Sequence, residues 1–257
     1  VRFSAIALLA ILAHLVVGTI DIAAALHMRT APEEVRAFFR AVTELGDSRW
    51  YLIPAAVLAG LCLLARAGVA RPAARALLGW VARASLFVFA SVAVSGIAAN
   101  IVKAAVGRAR PKLLDEGGVL TLSPLTLSGD LHSFPSGHSN TAFAVALALG
   151  FLAPRLRIPL LAAAFLVAVS RVVVGAHFVT DLVGGAALAI VTTYWLRNLC
   201  VDRGIVFAAQ PDGRVLPRRA GRLLPALAAR MIGRGWSRLG GGHARFGHSG
   251  AAEGKAE

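Results

Sequence analysis

The stretch "SFPSGHSNTAFAVALALGFLA", residues 133–153, joins a small polar turn directly to an uncharged apolar run. The apolar half is typical of a helix buried in a membrane or in a protein core. The polar half, with its serines, its glycine and His138, stands where that helix begins. A turn of this composition at the mouth of an apolar helix indicates a functional site.

The composition indicates an integral membrane protein. Hydrophobic residues make up 57% of the 257 residues and the mean hydropathy is +0.70, whereas soluble domains are about 45–50% apolar. The net charge is +14, and because arginine is costly inside lipid, these charges must lie in loops, in a tail or in a site. We expect a membrane as partner and no nucleic acid. Cys62 and Cys200 are too few for a disulfide framework and lack metal-ligand spacing.

Six apolar runs are candidate transmembrane helices, since a bilayer core of about 30 Å takes roughly 20 residues in helical form. They cover approximately residues 3–25, 51–65, 84–106, 139–153, 158–174 and 182–196. Several are short, so we expect their ends to extend into the flanking polar residues. The predicted fold is an all-α integral membrane protein, with a six-helix transmembrane bundle over residues 1–199 and a basic tail over residues 200–257.

Two segments have two interpretations each. Arg2, the apolar run after it and the alanines at 23–25 resemble a cleaved signal peptide, whereas His14 and Asp21 fit a retained helix that faces a bundle. The tail stretch "RVLPRRAGRLLPALAARMIGRGWSRLGGG", residues 214–242, fits a basic amphipathic helix on anionic lipid headgroups. Its prolines and glycines fit disorder equally well.

The distribution of arginine predicts the orientation. Loops on the side of the N-terminus carry positive residues without acids: Arg66, Arg71, Arg75, Arg83, Arg155 and Arg157. Loops on the other side mix signs: Glu33, Glu34, Glu44, Asp47, Asp115, Glu116 and Asp130. By the positive-inside rule, the N-terminal side and the tail are cytoplasmic in the cell (inner) membrane.

Three distant polar clusters fall on the non-cytoplasmic side if the helices alternate in direction. They are "NIVKAAVGRARPKL" at 100–113, "PSGH" at 135–138 and "VAVSRVVVGAHFVTD" at 167–181. Rare residue types from three stretches at one membrane face indicate a single site. Because the topology was drawn from hydropathy alone, this agreement supports the site independently.

The cationic residues of these clusters indicate an anion site. Lys103, Arg110 and Arg171 supply three positive charges, and the planar fork of arginine suits phosphate oxygens. Ser136 and Gly137 stand at a helix start, where free N–H groups and the helix dipole favour an anion. Glycine also lets the backbone approach closely. The turn therefore looks like an oxyanion cradle.

Two histidines complete the chemistry of phosphoryl transfer. Asp181 follows His177 by four residues and so lies on the same helical face, where it would orient the imidazole. His177 is then the candidate nucleophile and His138 the candidate acid for the leaving oxygen. Arg108 and His132 receive no role.

Each of these polar features can also be explained by a purely structural role. The basic cluster fits lipid headgroups, Ser136 fits a simple helix N-cap, and His177 with Asp181 fits a structural pair. Arg171 resists such an interpretation, because an arginine after "FLVAVS" needs a partner or a cavity.

Together the three motifs resemble the type 2 phosphatidic acid phosphatase (lipid phosphate phosphatase) family. The first family motif, a lysine, six residues and Arg-Pro, stands at 103–111 as "KAAVGRARP". The second, Pro-Ser-Gly-His, stands at 135–138, and "SRVVVGAHFVTD" at 170–181 matches the third. All are intact and in order, within a match that extends over most of the chain before Cys200.

The resemblance implies a six-helix membrane fold and a metal-independent, cofactor-free reaction through a phosphohistidine. By motif position, His177 would be the nucleophile, Asp181 its partner and His138 the acid or base. The phosphate-binding residues would be Lys103, Arg110, Ser136, Gly137 and Arg171.

The leading prediction is a bacterial-type membrane hydrolase that removes a phosphomonoester or pyrophosphate from a lipid. Candidate substrates are phosphatidic acid, phosphatidylglycerol phosphate, undecaprenyl pyrophosphate and lipid A phosphates. Alternatives are a phosphotransferase with a sugar-lipid acceptor, a vanadium haloperoxidase-like enzyme, an acid phosphatase for soluble esters, and a non-catalytic binder or transporter. Six apolar helices argue against the haloperoxidase and the acid phosphatase, and the complete set of His177, Asp181 and His138 favours turnover.

Overall fold

The computed structural model describes residues 17–117, 121–126 and 128–218. The predicted first helix therefore lies mostly outside the described residues, and so does the predicted tail helix beyond residue 218. Where the first segment enters the described part, a π-helical turn over Val17–Asp21 leads into a short α-helix.

The described part of the chain is mostly helical, as the composition predicts. Seven helices longer than one turn are α1 (Ile22–Arg29), α2 (Glu33–Glu44), α3 (Arg49–Gly68), α4 (Pro72–Val106), α5 (Gly137–Leu152), α6 (Arg157–Val173) and α7 (Val179–Asp202). One-turn helices occupy Pro111–Leu113, Leu114–Gly117, Gly129–Leu131 and Pro154–Leu156. The strands β1 (Phe207–Ala209) and β2 (Val215–Pro217) form one antiparallel hairpin.

Four helical stretches in the described residues are long and apolar enough to cross a membrane. They are Glu33–Gly68, Pro72–Val106, Pro154–Val173 and Val179–Asp202, and α5 is a shorter apolar helix. Large apolar side chains such as Leu64, Ile97 and Val191 are exposed on the outer surface, where lipid rather than water suits them. The integral membrane class is confirmed.

The predicted arginine-rich loop before the third span is much shorter than expected. Only residues 69–71 separate α3 from α4, because Pro72 begins α4 and Arg75 and Arg83 lie within that helix. With 35 residues, α4 is about 50 Å long and exceeds the hydrocarbon thickness. A helix of this length can carry its first arginines beyond the apolar layer without any loop.

The opening stretch of the sequence forms the centre of the bundle. Helix α5 packs against α4, α6 and α7, and most of its residues are buried, which explains why the run is apolar on every face. Small residues meet at these contacts, among them Ala144, Ala148 and Ala189, each with no exposed surface. Close helix packing of this kind fixes the start of α5 relative to α7.

The hairpin packs against the end of the bundle opposite the start of α5. Val206 and Phe207 are buried against Trp80, Phe87 and Phe151, and the Trp80 indole Nε1 donates to the Val206 carbonyl oxygen at 3.2 Å. Residues up to 218, at the start of the predicted tail, are therefore packed onto the helices rather than separate from them.

Candidate active site

The α4 helix ends in a turn that requires glycine. Gly107 has a φ of 62°, in the left-handed region. A Cβ at this position would stand 1.8 Å from the Ser123 carbonyl oxygen, so no other residue fits without moving the backbone. The turn sets the direction of the following residues, which include Arg108 and Arg110.

The starts of α5 and α7 are joined directly. Ser136 caps α5, with its hydroxyl accepting from the Ser139 N–H at 3.4 Å, and its own N–H donates to the Asp181 carbonyl oxygen at 2.9 Å. Gly185 permits this approach, because a Cβ there would lie 2.5 Å from the Ser136 carbonyl oxygen. The "PSGH" turn and the third motif thus share one rigid corner.

A buried His–Asp pair occupies this corner. After α6, the N–H of His177 donates to the Arg171 carbonyl oxygen, and its ring Nδ1 lies 3.4 Å from Asp181 Oδ2. That distance is longer than an ordinary hydrogen bond, so the two groups face each other without a full bond between them. Asp181 is fully buried and also accepts from Ser133 Oγ at 2.5 Å and from the Phe178 N–H at 2.9 Å. With the carboxylate so fixed, a hydrogen on Nδ1 faces it and the lone pair of Nε2 is left for chemistry.

The surroundings keep the His177 ring neutral. Burial lowers the pKa of His177 to about 4, Asp181 offsets part of this by raising it, and the positive charges of Lys103 and Arg110 lower it further. At neutral pH the imidazole therefore retains the lone pair that a nucleophile needs.

Three cations converge beside this pair. Lys103, Arg110 and Arg171 are close enough to repel one another electrostatically. Within the described ranges, none of them has a carboxylate oxygen within 4 Å. Each is oriented by a neutral oxygen: Lys103 Nζ donates to His132 O (3.1 Å), Arg110 Nε to Gly129 O (2.9 Å) and Arg171 Nη1 to Thr43 Oγ1 (2.7 Å).

The Arg171 guanidinium has a donor left over. Its Nε is buried and makes no hydrogen bond with any described residue. A buried donor without an acceptor costs free energy, and three unpaired cations side by side cost more. Both costs are removed when a polyanion such as phosphate binds between them.

His138 lies close to this cationic site. It is half-buried in the first turn of α5, within electrostatic range of His177, Arg171 and Lys103, and its ring packs against Gly46, where a Cβ would come within 2.7 Å. A cleft of about 440 Å³ opens next to it between α3, α4 and α5. The cleft is lined by polar Asp47, Ser48 and Asn100 and by apolar Leu52, Val92 and Ile97.

The structure brings all eight predicted site residues to one end of the bundle. The Ser136 hydroxyl is fully buried and caps helix α5, so its side chain has the N-cap role that the sequence also allowed. Its neighbour Gly137 lies against Lys103. His132, which the sequence left without a role, holds the Lys103 ammonium through its carbonyl oxygen.

The sequence analysis missed Arg108. Its side chain is 6% exposed and donates to Asp181 Oδ1 at 2.6 Å and to Asp21 Oδ2 at 2.8 Å, and its guanidinium lies 4.4 Å from the centre of the Phe178 ring. One signal for it was present. Asp21 is an acid inside an apolar segment, which calls for a buried cation as partner.

Comparison with known proteins agrees with these features. The PAP2 superfamily model matches residues 84–204. Lipid A 1-phosphatases of Rhizobium johnstonii and Rhizobium etli are each 34% identical to the chain, over 74% and 73% of its length and 78% and 81% of theirs. The crystal structure of a transmembrane PAP2 type phosphatidylglycerolphosphate phosphatase from Bacillus subtilis has the same fold, with a TM-score of 0.55 and 23% identity, over 79% of this chain and 96% of that one. The resemblance deduced from the three motifs is thereby confirmed, and the chain belongs to the PAP2 superfamily.

Proposed function

We propose that this membrane lipid phosphatase hydrolyses a phosphate from a glycolipid headgroup, through a phosphohistidine at residue 177. The observation that carries the proposal is the group of three cations beside a buried His–Asp pair, without carboxylate partners among the residues that the structure describes. Such a group needs a multiply charged anion, and phosphate has the charge and the oxygen count to satisfy it.

The proposed reaction has two displacements. In the first, the His177 Nε2 lone pair forms a bond to phosphorus and the bond from phosphorus to the leaving oxygen breaks. That oxygen takes a proton from His138, which is protonated when the negative charge of the bound phosphate stands beside it. In the second, His138 takes a proton from water, the water oxygen bonds to phosphorus, and the phosphorus–nitrogen bond breaks to release inorganic phosphate. Lys103, Arg110 and Arg171 stabilise the negative oxygens in both steps.

The substrate class follows from the relatives and from the cleft. Two relatives that match over most of their length are named lipid A 1-phosphatase, so the first candidate is a phosphate on the sugar of lipid A. The cleft beside His138, which is lined by both polar and apolar side chains, has room for part of such a leaving group while the acyl chains stay in the bilayer.

The proposed topology places the site on the non-cytoplasmic face. Three arginines lie away from the site: Arg66 is beside Gly79 near the start of α4, Arg71 directly precedes α4, and Arg157 donates to the Tyr194 hydroxyl in the second half of α7. Positive residues favour the cytoplasmic side. We assign residues 3–25 to the first of six spans and the basic tail to the cytoplasmic surface, against anionic lipid. A tag after Glu257 should then resist external protease in intact cells; cleavage there would reverse the topology.

A phosphate-release assay tests the function. The purified protein in detergent should release phosphate from lipid A 1-phosphate with a chelator present, and vanadate should inhibit it. Phosphatidic acid, phosphatidylglycerol phosphate and undecaprenyl pyrophosphate serve as the comparison substrates. A strict need for added metal would contradict the mechanism. Release only when a sugar-lipid acceptor is added would make the protein a phosphotransferase.

The titration of His177 provides a second prediction. Because burial lowers its pKa to about 4, the ring should remain neutral down to about pH 5 and lose its lone pair as the pH falls through 4. NMR of the protein with labelled histidine rings measures this, with His177→Ala to assign the signal. A midpoint near the ordinary 6.5 would contradict the buried, cation-flanked environment.

The Gly185→Ala enzyme should lose far more activity than the addition of a single methyl group suggests. The new Cβ meets the backbone oxygen of Ser136 at 2.5 Å, and since backbone cannot turn aside as a side chain can, α7 must shift and move Asp181 from His177. We expect overpacking of about 1–3 kcal/mol and a loss of phosphate release of at least about tenfold. The control is Gly60→Ala on α3, where nothing lies within 4 Å of the added atom. Equal activity of the two variants would show that the corner is not rigid.

A further inference from the structure

Asp181 shares its guanidinium partner with a second carboxylate. Arg108 binds Asp181 through Nη1 and Asp21 through Nη2, and all three side chains are buried, with 6% exposure for the arginine and 0% for each acid. Asp21 stands just before α1, far from the three motifs in sequence.

Asp21 also holds the backbone next to Asp181. Its Oδ1 accepts from the Thr180 N–H at 3.0 Å and its Oδ2 from the Thr180 hydroxyl at 2.5 Å. The same hydroxyl lies 2.8 Å from Arg108 Nη1. Asp21 thus fixes both the cation that binds Asp181 and the residue that precedes it.

We propose that Asp21 is a positioning residue for the reaction, which acts through Arg108 to leave the negative charge of Asp181 available to His177. The inference rests on the proposed phosphohistidine mechanism. It concerns a residue that lies outside the region from Lys103 to Asp181 that carries the motifs.

The argument is one of charge. Two carboxylates and one guanidinium sum to one negative charge, and in a buried setting that charge is weakly screened. The imidazole of His177 becomes positive as Nε2 bonds to phosphorus, and the surplus negative charge 3.4 Å from Nδ1 stabilises it. Without Asp21, Asp181 would carry a larger share of the charge balance of Arg108 and would have less negative charge to offer His177.

The same geometry bears on the first segment. Cleavage at the alanines of positions 23–25 would remove Asp21 and leave Arg108 buried with one acid. If Asp21 acts as proposed, the segment that contains it must stay attached to the active enzyme.

The test is a double-mutant cycle on phosphate release. Asp21→Asn keeps the shape of the side chain and removes its charge. We expect kcat to fall roughly tenfold to a hundredfold, the range seen when an outer partner of an active-site ligand is lost. KM should stay within about twofold of the wild-type value, because the cations that bind phosphate are untouched. In an Asp181→Asn background, the further Asp21→Asn change should have little additional effect, since the residue through which it acts is already neutral. Asp115→Asn, at an exposed ion pair with Arg29, is the control and should retain full activity.

Several outcomes would overturn the inference. An unchanged kcat in Asp21→Asn would do so, and so would losses that simply multiply in the double variant, because a merely structural role predicts independent effects. If Asp21→Asn does not accumulate in the membrane, Asp21→Glu replaces it: the retained charge should keep kcat within about threefold in a protein of normal melting temperature, and a hundredfold loss there would refute the charge argument. A wild-type protein that releases phosphate from no lipid would instead refute the proposed function, and the inference with it.

Discussion

His177→Ala should lower phosphate release by about 10⁴-fold or more, the scale observed when a nucleophile is removed. The reason is that His177, oriented by the buried Asp181, is assigned the bond to phosphorus next to the three cations, whereas His138 is assigned the proton transfers. The amount of protein in the membrane should stay close to normal, because α5 and its contacts hold the bundle together without the imidazole. The measurement is phosphate release per mole of membrane-extracted enzyme.

The control for this variant is His27→Ala. His27 is an exposed histidine on α1, outside the site, and its replacement should leave the rate unchanged. A His177→Ala enzyme with more than about one hundredth of wild-type activity would rule out the covalent step at this residue.

His138→Ala should produce a loss that depends on the leaving group. A sugar or alkyl leaving oxygen needs the proton that His138 supplies, so release from lipid should fall by about 10²–10⁴-fold. The phenolate of p-nitrophenyl phosphate leaves without a proton, so the first displacement should survive with that substrate. The second displacement still lacks its base.

Rapid-mixing absorbance measurements test this directly. The His138→Ala enzyme should release close to one equivalent of p-nitrophenolate in a burst and then turn over slowly as the phosphoenzyme accumulates. If both substrates lose the same factor and no burst appears, His138 does not act as acid and base, and its position beside the cleft serves binding alone.

The sequence predicted the residues of the site better than the residues that hold them in place. Lys103, His138 and His177 carry recognisable spacings, and alternating helix direction was enough to bring them to one face. Arg108 has no such spacing: Asp21 in an apolar segment indicates that a buried cation is needed but not which one, because Asp21 and Asp181 are 87 and 73 positions away from Arg108. Contacts between residues so distant in sequence arise from packing and leave no local pattern.

The fold was also predicted only in part from the sequence. Hydropathy located the four candidate spans and the shorter apolar helix α5 of the described residues, since a run of apolar residues is a direct consequence of the bilayer. It missed the true start of α4, because the arginines of its first turns are polar and yet form good helix. It also missed the hairpin after α7, whose strands of three residues are too short to show alternation.

The central claim is a covalent bond between His177 and phosphate. The most direct measurement is to mix the His138→Ala enzyme with radiolabelled p-nitrophenyl phosphate, to quench the reaction at the end of the burst and to locate the phosphate by peptide mapping. The account predicts close to one phosphate per enzyme, stable in alkali, labile in acid and attached to residue 177. Phosphate on another residue, or a burst of p-nitrophenolate from the His138→Ala enzyme without phosphate bound to it, would contradict it.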